Sequence, residues 1–406
     1  MNKYFGLDTL MQYKGITSNE AFQAYYNNVL AKNESQALNL DGFDEWDVPQ
    51  VDFTYEQLEL ENQISVMATY VDLNSEPIPL GGKGVDILRG TIPRQKARFV
   101  IGENDYRKQM MVIEKINTAA RMVGENPDGN IKTYLTKLLF GGLSELQEAH
   151  VGSLNYQVGQ MKSAAGVTLT DANNPRGIQN ITFSAYVPEG NKTTLATTKR
   201  WFTNEEKTTE GSASDPVGDI KRLINTAKER YENVVLEVDE KSFFEDMKHS
   251  KWQIALGYAM MPSIFATSGV SDQAKAAAAA YAANASDDAI KRAFESVIGN
   301  GVEVKYNNTL CGVEKYDKSQ GKLVRNRVRA FNANTYLARP AGKIGIIKSV
   351  APLRPDSSAI SAMIFGNKGI IEYRYDAKHK VQDWCSELTV LAVPTRPKDM
   401  FYLITK

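Results

Sequence analysis

Apolar positions along this chain change their spacing from stretch to stretch, and each spacing predicts an element. Residues 18–31, SNEAFQAYYNNVLA, set Phe22, Tyr25, Tyr26 and Leu30 at helical intervals behind Ser18, which predicts a short amphipathic helix with a serine cap. The stretches ISVMATYVDL (64–73) and ARFVIGEN (97–104) are β-rich and flank a middle full of Pro and Gly, so they predict a long two-stranded excursion. An isolated hairpin is marginal in water, and this one is expected to lie on something else. From Asp105 to about Ser163 the pattern is helical, in two pieces separated by the turn signal ENPDGN. In the second piece Leu135, Leu138, Leu139, Leu143, Leu146 and Leu154 recur at helical steps, predicting a long helix. Gly141 and Gly142 inside it cost about 1 kcal/mol each against Ala and predict a bend.

Two strand-like stretches, GVTLT and QNITFSAYVP, lead to a polar run, FTNEEKTTEG, and then to SASDPVGDIKRLI. There Asp215 predicts a helix cap, Pro216 suits the first helical position, and Val217, Ile220, Leu223, Ile224 and Ala227 form one apolar stripe. The polar run therefore reads as a seam, with a second core starting just after it. NVVLEVD reads as a buried strand, EKSFFEDMKHS as a short helix behind Asp239, and the Ala-rich segment up to SVI as helical. VEVKYNNTL and GKIGIIKSVAP read as strands of the same mixed domain, from 216 to about 350. The chain closes with three alternating strands, turning at DAKHK and TRPKD, expected to return to the first domain's sheet. This succession of helices and strands reads as an α/β or α+β fold.

Composition narrows this picture. The 406 residues carry 48 Lys plus Arg and 48 Asp plus Glu, so no global charge pulls the chain toward nucleic acid or an anionic membrane. The charge is segregated, however. Residues 33–82 hold eleven acids and no Lys or Arg, whereas 83–122 hold nine bases against four acids. Two extended segments that must find each other gain orientation from such a split; two solvated faces of opposite sign would show the same pattern. Cys311 and Cys385 read as free thiols, the N-terminus carries no apolar signal core, and Pro262 breaks the longest uncharged run, from Trp252 to Ser271, which reads as core.

Candidate chemistry is sparse. His150, His249 and His379 lie on different elements without a second ligand at metal spacing, and GGKG lacks the spacing of a phosphate loop. No cofactor, metal or catalytic group is expected. Trp252 and Trp384 sit in apolar text and read as core. Trp46 and Trp201 sit beside acidic or polar loops, where either intrachain packing or anchoring of a neighbouring subunit would account for them.

The order of parts, with Trp201 followed by SDPVGDIKRLI and the closing VLAVPTRPKDMFYLITK, resembles the major capsid proteins of tailed bacteriophages, in the lambda-type major head protein family of the Hong Kong 97-like fold. The resemblance implies an N-terminal arm (1–63), an extended β-hairpin loop (64–103), a peripheral domain with a spine helix (104–200), an α/β axial domain (201–370) and peripheral return strands (371–406). It implies a structural protein of the virion capsid, made in the bacterial host cytoplasm. Its hexamers and pentamers would close an icosahedral shell around double-stranded DNA, contacted non-specifically and without a membrane. Portal and decoration proteins are implied partners, and a scaffolding protein, where used, is expected to be separate. The residues expected at subunit interfaces are Asp44, Glu45, Trp46, Arg89, Arg94, Arg98 and Trp201. Reversing Arg89, Arg94 and Arg98 to Glu is expected to leave the subunit folded and block the shell. An encapsulin-like nanocompartment shell, and more remotely a cytosolic α+β enzyme, are the alternatives.

Overall fold

Two apolar cores organise the chain, and the strands between them decide where each core ends. The computed structural model describes residues 11, 16–31, 38–60, 85–124, 126, 128–262, 271–319, 321–353, 360–376 and 381–406. In chain order the first part comprises α1 (Asn19–Val29), β1 (Glu45–Trp46), β2 (Thr54–Leu60), β3 (Val85–Thr91), β4 (Arg94–Ile101), α2 (Glu103–Val123), α3 (Asp128–Ser163), β5 (Gly166–Leu169), β6 (Ile181–Ser184) and β7 (Lys192–Thr194). The second part comprises α4 (Pro216–Lys228), β8 (Val234–Asp239), α5 (Glu240–Asp246), α6 (Ser250–Met260), α7 (Asp272–Ala283), α8 (Asp287–Ile298), β9 (Val302–Asn307), β10 (Leu310–Asp317), β11 (Lys322–Arg329) and β12 (Thr335–Pro340). Then follow β13 (Gly345–Ser349), β14 (Ser361–Ile364), β15 (Gly369–Asp376), β16 (Val381–Pro394) and β17 (Phe401–Ile404).

The first core packs α1 and α3 on a sheet ordered β1-β13-β16-β15-β14, with β4 also paired to β16. Leu143, Leu146, Leu154, Val158 and Met161 supply the α3 face, and Trp384 of β16 lies 4.8 Å from the Phe22 ring of α1. The second core packs α4, α5, α6 and α8 on a sheet ordered β7-β17-β12-β8-β9. Both faces of that sheet are used. Leu337 and Tyr402 belong to the first core, whereas Tyr336, Ala338, Phe401 and Leu403 belong to the second, as the two-residue period of a strand requires. Every residue of β8 and β12 is buried, which is why these strands read as continuous apolar runs.

Several expectations change here. Ser18 caps α1 as its position suggests, accepting from the Ala21 amide at 3.2 Å. The extended ladder pairs β2 with β3, from Thr54↔Thr91 to Leu60↔Val85, and the expected strand 64–73 lies outside the described residues. Among the described residues the stretch at 97–104 pairs elsewhere. As β4 it docks along β16 from Arg94↔Thr389 to Ile101↔Gln382, because its alternation puts Ala97, Phe99 and Ile101 on one face, which packs into the first core. The helix α3 runs unbroken through Gly141 and Gly142; a Cβ on Gly142 would stand 2.5 Å from the Phe99 ring, so the glycine makes room for β4. The Ala-rich segment splits into α7 and α8, each with its own serine cap, Ser271 to Ala274 N and Ser286 to Ala289 N. Asp215 occupies the cap position of α4 but makes no cap bond, and its carboxylate lies 3.8 Å from Arg222.

The boundary drawn at residue 370 also moves. Ile344, Ile347, Val350, Ala362 and Ile364 are in the first core, so the stretch that builds the second core ends near β12, while the last strand, β17, pairs with β12 and joins the second sheet rather than the first. Alternation identifies a strand but not the sheet it will join.

Candidate assembly interface

The hairpin β2–β3 is pinned at its base and, among the described residues, pairs with neither large sheet. Tyr55 is buried there, with its ring 2.6 Å from the position a Cβ on Gly90 would take, so only glycine admits it. The Tyr186 hydroxyl donates to the Arg89 carbonyl, the Ile92 amide donates to the Phe53 carbonyl at 2.7 Å, and the Arg94 guanidinium sits 5.1 Å from the Phe53 ring centre. Beyond this base the ladder forms a separate two-stranded sheet.

Next to the base, the arm runs parallel to β13 and its continuation, with Glu45 opposite Ile346, Gln50 bridged to Val350 and the Ala351 amide donating to Gln50 at 2.7 Å. Val48, Val51 and Leu353 stand 81%, 88% and 77% exposed along this edge. Three large apolar side chains are thus left in solvent near this sheet edge.

The residues expected at interfaces fall into distinct groups. Asp44 accepts from the Gly42 amide at 3.3 Å, Glu45 pairs with Lys343, and the half-buried Trp46 stacks on Phe365 with Lys368 over its ring at 5.2 Å. Arg89 pairs with Glu56 across the hairpin at 2.8 Å, both largely exposed. Arg94 lies 3.0 Å from Glu387 and Arg98 pairs with Asp383, so these two belong to the body and not to the extended loop. Trp201 is fully buried. Its indole N–H donates to Asp219 at 2.9 Å and its ring packs 5.2 Å from Tyr336, which makes it a core residue and not an anchor for a neighbour. The triple reversal also changes meaning: a Glu at 98 would face the buried Asp383 carboxylate, so that variant is destabilised in the subunit itself.

Sequence reading missed a buried charge cluster where arm, spine helix and axial sheet meet. Glu237 of β8 accepts from Lys162 Nζ at 3.0 Å, Arg339 Nε at 3.0 Å and Asn307 Nδ2 at 3.2 Å. Asp41 of the arm pairs with Arg339, with Lys305 at 3.0 Å and with Lys162 at 3.6 Å. Burial alone would raise the Glu237 carboxyl, but Lys162 and Arg339 outweigh it and hold the group below the usual carboxylate range. The signal was a single charge set inside each of two largely apolar runs, Glu237 in VVLEV and Arg339 in YLARP.

The polar run at the seam is folded. Phe202 bridges Glu210, and Lys207 Nζ lies 2.6 Å from Asp246. Beside it His249 accepts from the Lys251 amide through Nδ1 and lies 2.9 Å from Ser214 Oγ through Nε2. Ser214 donates in turn to the Gly211 carbonyl, so the hydroxyl is committed to structure and the histidine serves as a helix cap. Cys311 and Cys385 are free, and burial pushes the Cys311 thiol up to about 11. Among the described residues no group of three or more His, Cys, Asp or Glu is arranged to hold a metal ion, and no helix is long and apolar enough to cross a membrane.

No protein-family model and no curated protein sequence matches the chain. Solved structures similar to it are capsid proteins of phages and prophages, together with an encapsulin. A prophage protein of Escherichia coli CFT073 assigned as its capsid protein is 13% identical, aligned over 95% of this chain and 98% of that one, with a TM-score of 0.45. The satellite phage P4 procapsid, which includes the size determination protein, is 10% identical over 93% and 99%, at 0.41. The holo-SrpI encapsulin complex of Synechococcus elongatus is 8% identical over 89% and 84%, at 0.34.

Proposed function

We propose that this chain is a shell subunit, the major capsid protein of a tailed bacteriophage, with a structural rather than a catalytic role. Its copies assemble as hexamers and pentamers into an icosahedral shell around double-stranded DNA, after synthesis in the host cytoplasm. The observation that carries this reading is the union of an unsupported hairpin and an exposed apolar edge at one place. A two-stranded ladder is marginal alone, and Val48, Val51 and Leu353 remain in water on the single subunit. Both deficits are relieved when the ladder and edge lie on a sister chain. Such a contact joins two different surfaces, and repeated heterologous contacts close into rings. A scaffolding protein, a portal and decoration proteins are the accessory partners this role calls for.

The test is to express the full chain and examine it by sedimentation and negative-stain microscopy. Closed particles or tubes are the expected result. A subunit that stays monomeric at every concentration and salt condition overturns the proposal.

A further inference from the structure

We infer that Asn300 is a self-modifying site, converted to aspartate and isoaspartate through a cyclic imide that the Gly301 amide closes and the Lys228 ammonium promotes. The inference goes beyond the shell reading and does not depend on it, since every group it needs lies within one subunit.

Asn300–Gly301 is the one Asn-Gly step in the 406 residues. It lies in the turn that leads from α8 into β9, and Asn300 is exposed there. Glycine builds this turn on both flanks: Gly299 and Gly301 take φ of 92° and 78°, in the left-handed region. A side chain at 301 would crowd the attacking nitrogen and resist that backbone, whereas hydrogen does neither.

The hydrogen bonds around the step leave both reacting groups open. Among the described residues the Asn300 side chain makes no hydrogen bond and the Gly301 amide donates to no group. The bonds that do form fall on the carbonyls. Lys228, at the end of α4, donates from Nζ to the Asn300 main-chain carbonyl at 2.7 Å, and the Val234 amide donates to the Gly301 carbonyl at 3.0 Å. The same ammonium would stand 3.9 Å from a Cβ on Gly301, so it lies beside the reacting peptide.

This placement decides what Lys228 does. Ring closure needs the Gly301 nitrogen without its proton, and the charge of that amidate is shared with the Asn300 main-chain oxygen. A cation already donating to this oxygen stabilises the charge as it develops. The proton goes to solvent, the nitrogen bonds to Asn300 Cγ, the Cγ–Nδ2 bond breaks, and Nδ2 takes a proton from solvent and leaves as ammonia. Water then opens the imide. Cleavage between the nitrogen and Cγ gives aspartate; cleavage between the nitrogen and the main-chain carbonyl gives isoaspartate, with the chain rerouted through the side chain. One water is consumed and one ammonia released, with nothing oxidised or reduced. Each converted copy gains one negative charge at an exposed turn of the second core.

The experiment incubates the folded full chain at neutral pH in water enriched in heavy oxygen and maps the peptide holding residue 300 by mass spectrometry. Wild type is compared with Lys228→Met, Lys228→Arg and Asn300→Gln, with circular dichroism confirming that each is folded. Wild type should accumulate both products at 300, faster than at the exposed Asn284 and Asn367, which precede Ala285 and Lys368. Lys228→Met should slow conversion about twofold to fivefold, the range an exposed charge at hydrogen-bond distance supplies. Lys228→Arg should restore the rate, and Asn300→Gln should stay unconverted over the same interval. In denaturant, where Lys228 is no longer placed by the fold, wild type and Lys228→Met should convert alike. Aspartate without isoaspartate would mean direct hydrolysis with no imide. No conversion at 300 in the folded chain would mean that the turn holds Cγ away from the Gly301 nitrogen, and equal rates in folded wild type and Lys228→Met would remove the promotion. Each of these three results overturns the inference, whether or not the chain assembles.

Discussion

The body of the subunit and the hairpin β2–β3 use their charges in opposite ways. In the body, ions are taken out of water and matched: Glu237 is met by Lys162, Arg339 and Asn307, and Asp383 of β16 by Arg98. On the hairpin, Arg89 and Glu56 meet across two strands with both side chains mostly in solvent. Desolvated pairs hold parts in one geometry and are costly to break, whereas solvated pairs add little to stability and stay available. The body is thus finished as a folded object, and the hairpin is not.

The largest expected effect is in the buried cluster. Glu237→Ala leaves the buried Lys162 and Arg339 with the partly exposed Asp41 as their one remaining shared carboxylate, and should cost about 3 kcal/mol in chemical denaturation. A loss below about 1 kcal/mol would mean that water reaches the cluster and that the contrast with the hairpin is false.

A pH experiment sharpens the same contrast. Burial beside β16 lowers the His150 imidazole to about 4, with Ser386 Oγ 2.8 Å away. The unfolded chain therefore takes up a proton near pH 6.5 that the native state refuses, so stability falls as pH drops from 6.5 toward 4. Asp246 works against it: burial raises its carboxyl to about 6, and it gains stability over part of the same interval as pH falls. The difference between wild type and His150→Gln isolates the histidine. Between pH 7 and 4.5 the wild type should lose about 2.5 kcal/mol relative to the variant; parallel pH profiles would contradict a buried neutral imidazole.

How much of this was legible follows from the range of the forces involved. The Ser18 cap, the α4 stripe and the α3 leucines are set by neighbours a turn away, and local text reveals them. The destinations of β4, β13 and β17 depend on partners far along the chain, such as Trp384 opposite Phe99, and alternation has no means of naming them. Trp201 was misjudged for the same reason. The polar run around it suggested a ring with no local place, but its place is made by Asp219 and Tyr336, which reach it only in three dimensions. The split of charge along the chain left open where each acid of the arm finds its cation; Asp41 and Asp47 meet Lys305 and Lys348 within the subunit.

Gly142 marks a place where spine helix and sheet are packed to contact. An added methyl would collide with Phe99 of β4, so Gly142→Ala should cost about 1–3 kcal/mol through overpacking despite alanine's better helix propensity. A stabilised variant would show that β4 can lift away, and that the body is looser than the contrast requires.

The smallest effect on stability belongs to the hairpin, and there it is the readout that matters. Arg89→Glu places two carboxylates across one rung of β2–β3, but Arg89 and Glu56 are 69% and 63% exposed, so unfolding free energy should change by less than about 1 kcal/mol. Under the shell reading proposed above, particle yield by sedimentation should fall well beyond what that change explains, because in that reading the altered ladder lies on a sister chain. Glu56→Lys alone should act likewise, and the double exchange should restore the rung while leaving the sister chain facing swapped charges. Full recovery in the double variant would assign the pair to the hairpin's own integrity, and a persistent defect would assign it to the contact between copies. Normal yield from every one of these variants would remove the hairpin from assembly and leave the exposed apolar edge at Val48, Val51 and Leu353 to account for it.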